Sequence, residues 1–80
     1  MTAAPTPKYR VTLQSDDDDS EYGEEVYYGL AFAQAVAYAA QYLESRFSGS
    51  GVVDAVTYPD NVVQLFKNGV YNYVCWVVPA

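Results

Sequence analysis

LAFAQAVAYAAQYLESRF, residues Leu30 to Phe47, is the strongest helical pattern in the chain, and the segments on either side of it alternate as strands do. On a 3.6-residue wheel Phe32, Val36, Ala39, Ala40, Leu43 and Phe47 fall within about 100° of one another, with Gln34, Tyr38, Gln41 and Ser45 opposite. Six alanines (Ala31, Ala33, Ala35, Ala37, Ala39 and Ala40) supply helix propensity and let the helix come close to a sheet. Ser48 to Gly51 ends it, since glycine is well placed just past a helix terminus. A start nearer Glu21 would absorb Glu24 to Tyr28, but Gly23, Gly29 and the Val-Tyr-Tyr run oppose that reading.

On the N-terminal side, Lys8 to Gln14 places Tyr9, Val11 and Leu13 on one face and Arg10, Thr12 and Gln14 on the other, the period of a half-buried strand. Ser15 to Ser20 is an acidic loop. Glu24 to Tyr28 returns as a second strand, with Val26 and Tyr28 facing one way and Glu25 and Tyr27 the other. On the C-terminal side, Val52 to Tyr58 reads as a strand closed by the turn Pro59-Asp60-Asn61. Val62 to Lys67 and Val70 to Val78 form a hairpin around Asn68-Gly69, a pair that tolerates positive φ.

A two-residue loop there sets Lys67 opposite Val70, Phe66 opposite Tyr71 and Gln64 opposite Tyr73. Side chains alternate across a strand, so this register predicts two faces. One carries Val63, Leu65, Val70, Val74, Trp76 and Val78, interrupted by Lys67 and Asn72, and is expected to meet the helix. The other carries Val62, Gln64, Phe66, Tyr71, Tyr73 and Cys75 and is expected to be a tyrosine-rich open face. The predicted fold is α+β in ββαβββ order: an antiparallel sheet of four to five strands with one helix on one face. It forms a single domain over residues 8–80, behind a flexible arm at residues 1–7.

Composition excludes several kinds of chemistry. Eighty residues with one cysteine, Cys75, rule out an intrachain disulfide scaffold. No apolar run approaches the ~20 residues that span a bilayer. Met1 to Pro7 lacks the basic-then-apolar order of a signal peptide, so a cytoplasmic location is expected. The chain has no histidine, hence neither the commonest general base nor the commonest metal ligand. Ser15, Ser20, Ser45, Ser48 and Ser50 therefore have no imidazole to activate them. Mid-strand Cys75 reads as a buried, inert thiol. Tested as a calcium loop from Asp16, the sixth position is Glu21 instead of glycine and the twelfth is Tyr27 instead of glutamate. Gly49-Ser50-Gly51 lacks the lysine of a phosphate loop. The expectation is no enzyme, no metal and no cofactor.

Two features remain. Seven of the ten acids (Asp16, Asp17, Asp18, Asp19, Glu21, Glu24 and Glu25) fall within ten residues, leaving three acids against four bases elsewhere. A solvated turn that keeps the domain soluble explains such a block, and so does a contact surface for a basic partner. There are also nine tyrosines, a residue enriched at interface hot spots. Strand preference accounts for Tyr9 and Tyr58. Tyr22, Tyr27, Tyr28, Tyr71 and Tyr73 are candidates for contact, and Tyr38 falls on the polar side of the helix. Exposed aromatics on a sheet would suit base stacking, but the acids repel phosphate, so direct nucleic-acid binding is not expected.

In size, element pattern and the Asp16–Glu25 block, Tyr9 to Val78 resembles the small acidic phage-encoded inhibitors of host defence, the anti-CRISPR and DNA-mimic proteins. That group shares no single fold or signature, so the resemblance carries over no individual residue. It implies a viral protein acting in the host cytoplasm on a basic, nucleic-acid-handling surface. The expected function is a non-enzymatic protein-binding inhibitor. Its partner-binding residues would be Asp16, Asp17, Asp18, Asp19, Glu21, Tyr22, Glu24, Glu25, Tyr27, Tyr71 and Tyr73. The alternatives are an assembly module that forms a homodimer through the tyrosine-rich sheet face, and a designed scaffold without a partner.

Overall fold

Five antiparallel strands form one sheet in the order β2-β1-β5-β4-β3, with a single helix packed across one face. The computed structural model describes residues 8–29, 31–47, 51–69 and 72–80. The elements are β1 (Tyr9–Ser15), β2 (Glu24–Gly29), α1 (Phe32–Arg46), β3 (Val53–Tyr58), β4 (Val62–Lys67) and β5 (Tyr73–Pro79). The fold is thus α+β in the predicted ββαβββ order. The arm at residues 1–7, the helix-ending segment at 48–50, and Leu30, Val70 and Tyr71 lie outside the described residues.

The core is the layer between helix and sheet. Ala35, Ala39 and Leu43 form the fully buried stripe of α1, and they meet Tyr9 and Val11 of β1, Val63 and Leu65 of β4, and Cys75 and Val77 of β5. Fully burying one such aliphatic side chain contributes about 1.5–3 kcal/mol. The stripe is rotated from the expected one, and Tyr38 is half-buried, packed against the core. Its ring stacks on Tyr27 at 4.3 Å and 16°, and its hydroxyl donates to the Val26 carbonyl at 3.3 Å.

A bulge in β2 explains that contact. Val11 pairs with Tyr27 but Thr12 pairs with Glu25, so Val26 is an extra residue without a partner on β1. The bulge breaks the simple alternation expected for Glu24 to Tyr28. Val26 and Tyr27 both pack toward the core, and Tyr27 is not on the face of Glu25.

The β4–β5 register also departs from expectation. Observed pairs are Val63–Val77, Gln64–Trp76, Leu65–Cys75 and Phe66–Val74, a shift of three residues. Gly69 has φ +93° but Asn68 does not take positive φ, so the two-residue turn is not formed and residues 68–72 make the connection. An odd shift turns β5 over. Cys75 and Val77 now face the helix, while Val74, Trp76 and Val78 occupy the opposite face, against the prediction. Lengthening a loop from two to five residues costs only about 1 kcal/mol. In return, Cys75 and Val77 join Ala35, Ala39 and Leu43 in the core, where an indole in their place would demand more room between helix and sheet.

Lys67 stays on the helix side, where it is 2% exposed, and its Nζ lies 3.5 Å from Glu44 Oε2 on α1. Glu44 is itself 55% exposed. Removing one partner of a buried pair strands the other charge, whereas an apolar replacement of similar length avoids the desolvation altogether. Glu44→Gln is expected to lower stability by about 1–3 kcal/mol, a range reduced for the exposed carboxylate. Lys67→Met is expected to be neutral or stabilising, and urea unfolding midpoints distinguish the two signs.

A candidate protein-docking face

The face of the sheet away from α1 is organised around Trp76. Its indole Nε1 donates to Gln14 Oε1 at 2.9 Å. The same glutamine's Nε2 donates to the Ser20 carbonyl at 3.0 Å and to that of Glu21 at 3.3 Å. Gln14 therefore ties the acidic loop to the centre of the sheet with both ends of one amide. Tyr22, two residues past Ser20, lies against the indole at 5.4 Å and 59°. From the other side Tyr58 approaches at 5.9 Å and 36°, its hydroxyl donating to Gln64 Oε1 at 3.0 Å. Three aromatic rings, their polar tips largely held, form a shallow platform beside the carboxylates.

The loop has its own fixed geometry. Asp18 N–H donates to the Ser15 carbonyl at 3.1 Å, and Asp18 Oδ1 accepts from the Ser20 N–H at 2.8 Å. Gly23 closes the hairpin at φ +84°, where an added Cβ would stand 2.1 Å from the Leu13 carbonyl oxygen. Asp16, Asp17, Asp19, Glu21, Glu24 and Glu25 are exposed and Asp18 is half-buried. Among the described residues none of the seven acids forms an ion pair. Beside the platform, Thr12 pairs with Trp76 on β5 and is buried, its hydroxyl without a hydrogen-bond partner among the described residues.

The structure divides the residues singled out from sequence. Asp16, Asp17, Asp18, Asp19 and Glu21 lie in the loop that Gln14 ties beside the platform, and Tyr22 belongs to the platform itself. Glu25 pairs with Thr12 on the Trp76 face, whereas Glu24 pairs with Leu13 and falls on the helix side. Tyr27 belongs to the helix side, stacked on Tyr38. Tyr73 is also on that side, stacked on Phe47 at 4.9 Å and 23°. Tyr71 lies outside the described residues. Phe66 and Tyr73 fall on opposite faces, so the expected tyrosine-rich open face of the hairpin is not formed. Sequence reasoning missed Gln14, Tyr58 and Trp76, the residues that join platform to loop. The signal for Trp76 was present: in a register that buries Cys75, its neighbour must point away.

Other chemistry is sparse. Burial pushes the Cys75 thiol up to about 12, which makes it a poor nucleophile. Among the described residues no group of three His, Cys, Asp or Glu side chains is placed to hold a metal ion. No helix among them is long and apolar enough to cross a membrane. A groove of about 410 Å³ on α1 is lined by Tyr38, Gln41, Tyr42, Ser45 and Arg46. Compared with known proteins, the chain matches no family model, no curated protein and no solved structure.

Proposed function

We propose that this chain is a non-enzymatic binding protein that docks its acidic loop and the Tyr22–Trp76–Tyr58 platform onto a basic surface of a partner protein, competing there with nucleic acid. The observation that carries this reading is the Gln14 clamp. A loop whose only task is to be soluble needs no attachment, yet this one is tied by two hydrogen bonds beside the sole tryptophan of the chain. The clamp supports a contact surface in which unpaired carboxylates surround an aromatic centre, a combination suited to lysine and arginine side chains.

The acids and the rings would contribute differently. Exposed carboxylates raise the rate of encounter with a cationic surface by about 10- to 1000-fold at low salt. The platform supplies desolvated contact once the partner is seated, which slows release. Carboxylates spaced along one loop occupy the place of phosphates, so the partner envisaged is a nucleic-acid-handling protein, in the manner of anti-CRISPR and DNA-mimic inhibitors. Direct binding of nucleic acid to the platform is disfavoured by the same charges.

The test uses immobilised chain and a lysate, with each captured protein then purified and its association rate measured. Changing Asp16, Asp17, Asp18 and Asp19 together to Asn is expected to slow association about tenfold at low salt and to have little effect at ~0.5 M, where the Debye length is near 4 Å. A single-stranded oligonucleotide is expected to displace the captured partner. A partner that binds the Asn variant equally fast, or that ignores the oligonucleotide, defeats the proposal.

A further inference from the structure

The two edges of the sheet are built differently. The β2 edge has a bulge at Val26 and carries exposed Glu24 and Glu25, both devices that keep an edge from pairing with another chain. The β3 edge has neither. Its pairing with β4 is regular from Val53–Lys67 to Tyr58–Val62, and it contains no lysine and no internal proline. Its single acid, Asp54, accepts a hydrogen bond from Asn68 Nδ2 at 3.1 Å. Val52, Val56 and Tyr58, at 62, 41 and 41% exposure, place three large hydrophobic residues on this one strand and its lead-in.

The outward backbone groups follow from one hydrogen bond. Asn68 N–H donates to the Val52 carbonyl at 2.8 Å, so Val52 points toward β4. Strand alternation then turns Asp54, Val56 and Tyr58 inward and leaves the N–H and C=O groups of Val53, Ala55 and Thr57 facing out. Among the described residues no strand pairs with them.

We propose that β3 pairs antiparallel with β3 of a second copy of this chain, centred on Ala55, to make a continuous sheet across a twofold axis. In that register Ala55 faces Ala55 of the second copy, and Val53 faces Thr57, so every outward N–H and C=O of the three residues finds a partner. On the Trp76 face, Val52 meets Tyr58 of the second copy, two of the three exposed hydrophobic residues covering one another, and Val56 stands opposite Asp54. Charge selects this edge over the other. Strands lie about 4.8 Å apart, so the two β2 edges would stand about 40 Å from one another, several Debye lengths at 0.15 M salt. Two chains of net charge −6 thus meet at their least charged margins. Tyr58 belongs both to this edge and to the proposed docking platform, whereas the amides of Val53, Ala55 and Thr57 report the pairing alone.

Such an interface is small, and contacts of this size are weak, so the dimer is expected with a dissociation constant on the order of 100 μM. Sedimentation velocity from about 5 to 500 μM should show a monomer–dimer transition across that range. Ala55→Pro removes an outward N–H and no bond to β4, and is expected to remain monomeric with unchanged far-ultraviolet circular dichroism. Hydrogen exchange on the unmodified chain decides the matter even if that variant fails to fold. The amides of Val53, Ala55 and Thr57 should exchange about fourfold more slowly at the top of the concentration range, while those of Asp54 and Val56 are unaffected. A monomer throughout, or a dimer that leaves the three outward amides unprotected, overturns the proposal.

Discussion

Gly23→Ala is expected to destabilise the domain by on the order of 3 kcal/mol and to release the acidic loop from the sheet. Two costs combine at this position. The backbone holds φ +84°, where a side chain is strained, and the new Cβ would stand 2.1 Å from the Leu13 carbonyl oxygen and 2.8 Å from the Gln14 Cα. Backbone, unlike a flexible side-chain tip, has nowhere to move without breaking the β1–β2 and β1–β5 ladders that run through Leu13 and Gln14. Gly69→Ala provides the control, because Gly69 also has positive φ, at +93°, but a Cβ there meets nothing within 4 Å. It should cost only the ~1 kcal/mol of left-handed backbone. Urea unfolding gives both values. Trp76 emission supplies a second readout, since Tyr22 and Gln14 touch its indole. A change in emission for Gly23→Ala and none for Gly69→Ala is expected; equal destabilisation by the two would refute the close-approach argument.

Leu43→Ala is the larger loss for the fold as a whole. Leu43 is fully buried on α1 and belongs to the cluster that includes Leu65 and Cys75. Removing three buried carbons forfeits their transfer energy and leaves a cavity that an alanine-lined helix has little side-chain mass to refill, for a total of about 3–4 kcal/mol. Small domains hold roughly 0.05–0.15 kcal/mol per residue, so this is a large share of everything available to 80 residues. For a domain of this size the melting temperature should fall by roughly 15–25 °C. A thermal melt followed by circular dichroism measures it, and a fall of only a few degrees would place the stabilising core elsewhere.

Much of the architecture was legible in residue order. The period of Phe32 to Phe47 marks a helix because apolar residues every three or four positions have no equivalent in a strand. The alternation of Tyr9, Val11 and Leu13 marked one face of a half-buried strand, and the structure packs that face against the helix. Pro59-Asp60-Asn61 forms the expected turn, with Asp60 and Asn61 both at positive φ, which their side chains tolerate. Tyr38 was misplaced because a wheel weighs polarity and treats the phenol as a polar residue. In the fold its ring has an apolar partner in Tyr27 and its hydroxyl an acceptor in Val26, left without a β1 partner by the bulge.

The candidate site was half legible. A block of seven acids is visible in any reading of the chain, since charge is a local property. The platform beside it was not, because it depends on which way β5 faces. Asn68-Gly69 favours a two-residue turn by local chemistry, worth around 1 kcal/mol against the longer loop. That preference is outweighed by the pairing of β5 with β1, which brings Cys75 and Val77 beside Leu13 and Val11 on the helix side.

Sequence alone therefore determined the order of the elements, the alternation of β1 and the place of the charge, all of which depend on neighbours a few residues apart. Only the tertiary structure decided the register of β4 against β5. That choice rests on contacts between strands distant in sequence and on the clearance beneath an alanine-rich helix. From it follow the placement of half-buried Trp76 on the face away from the helix, its bond to Gln14 and the attachment of the acidic loop to an aromatic platform.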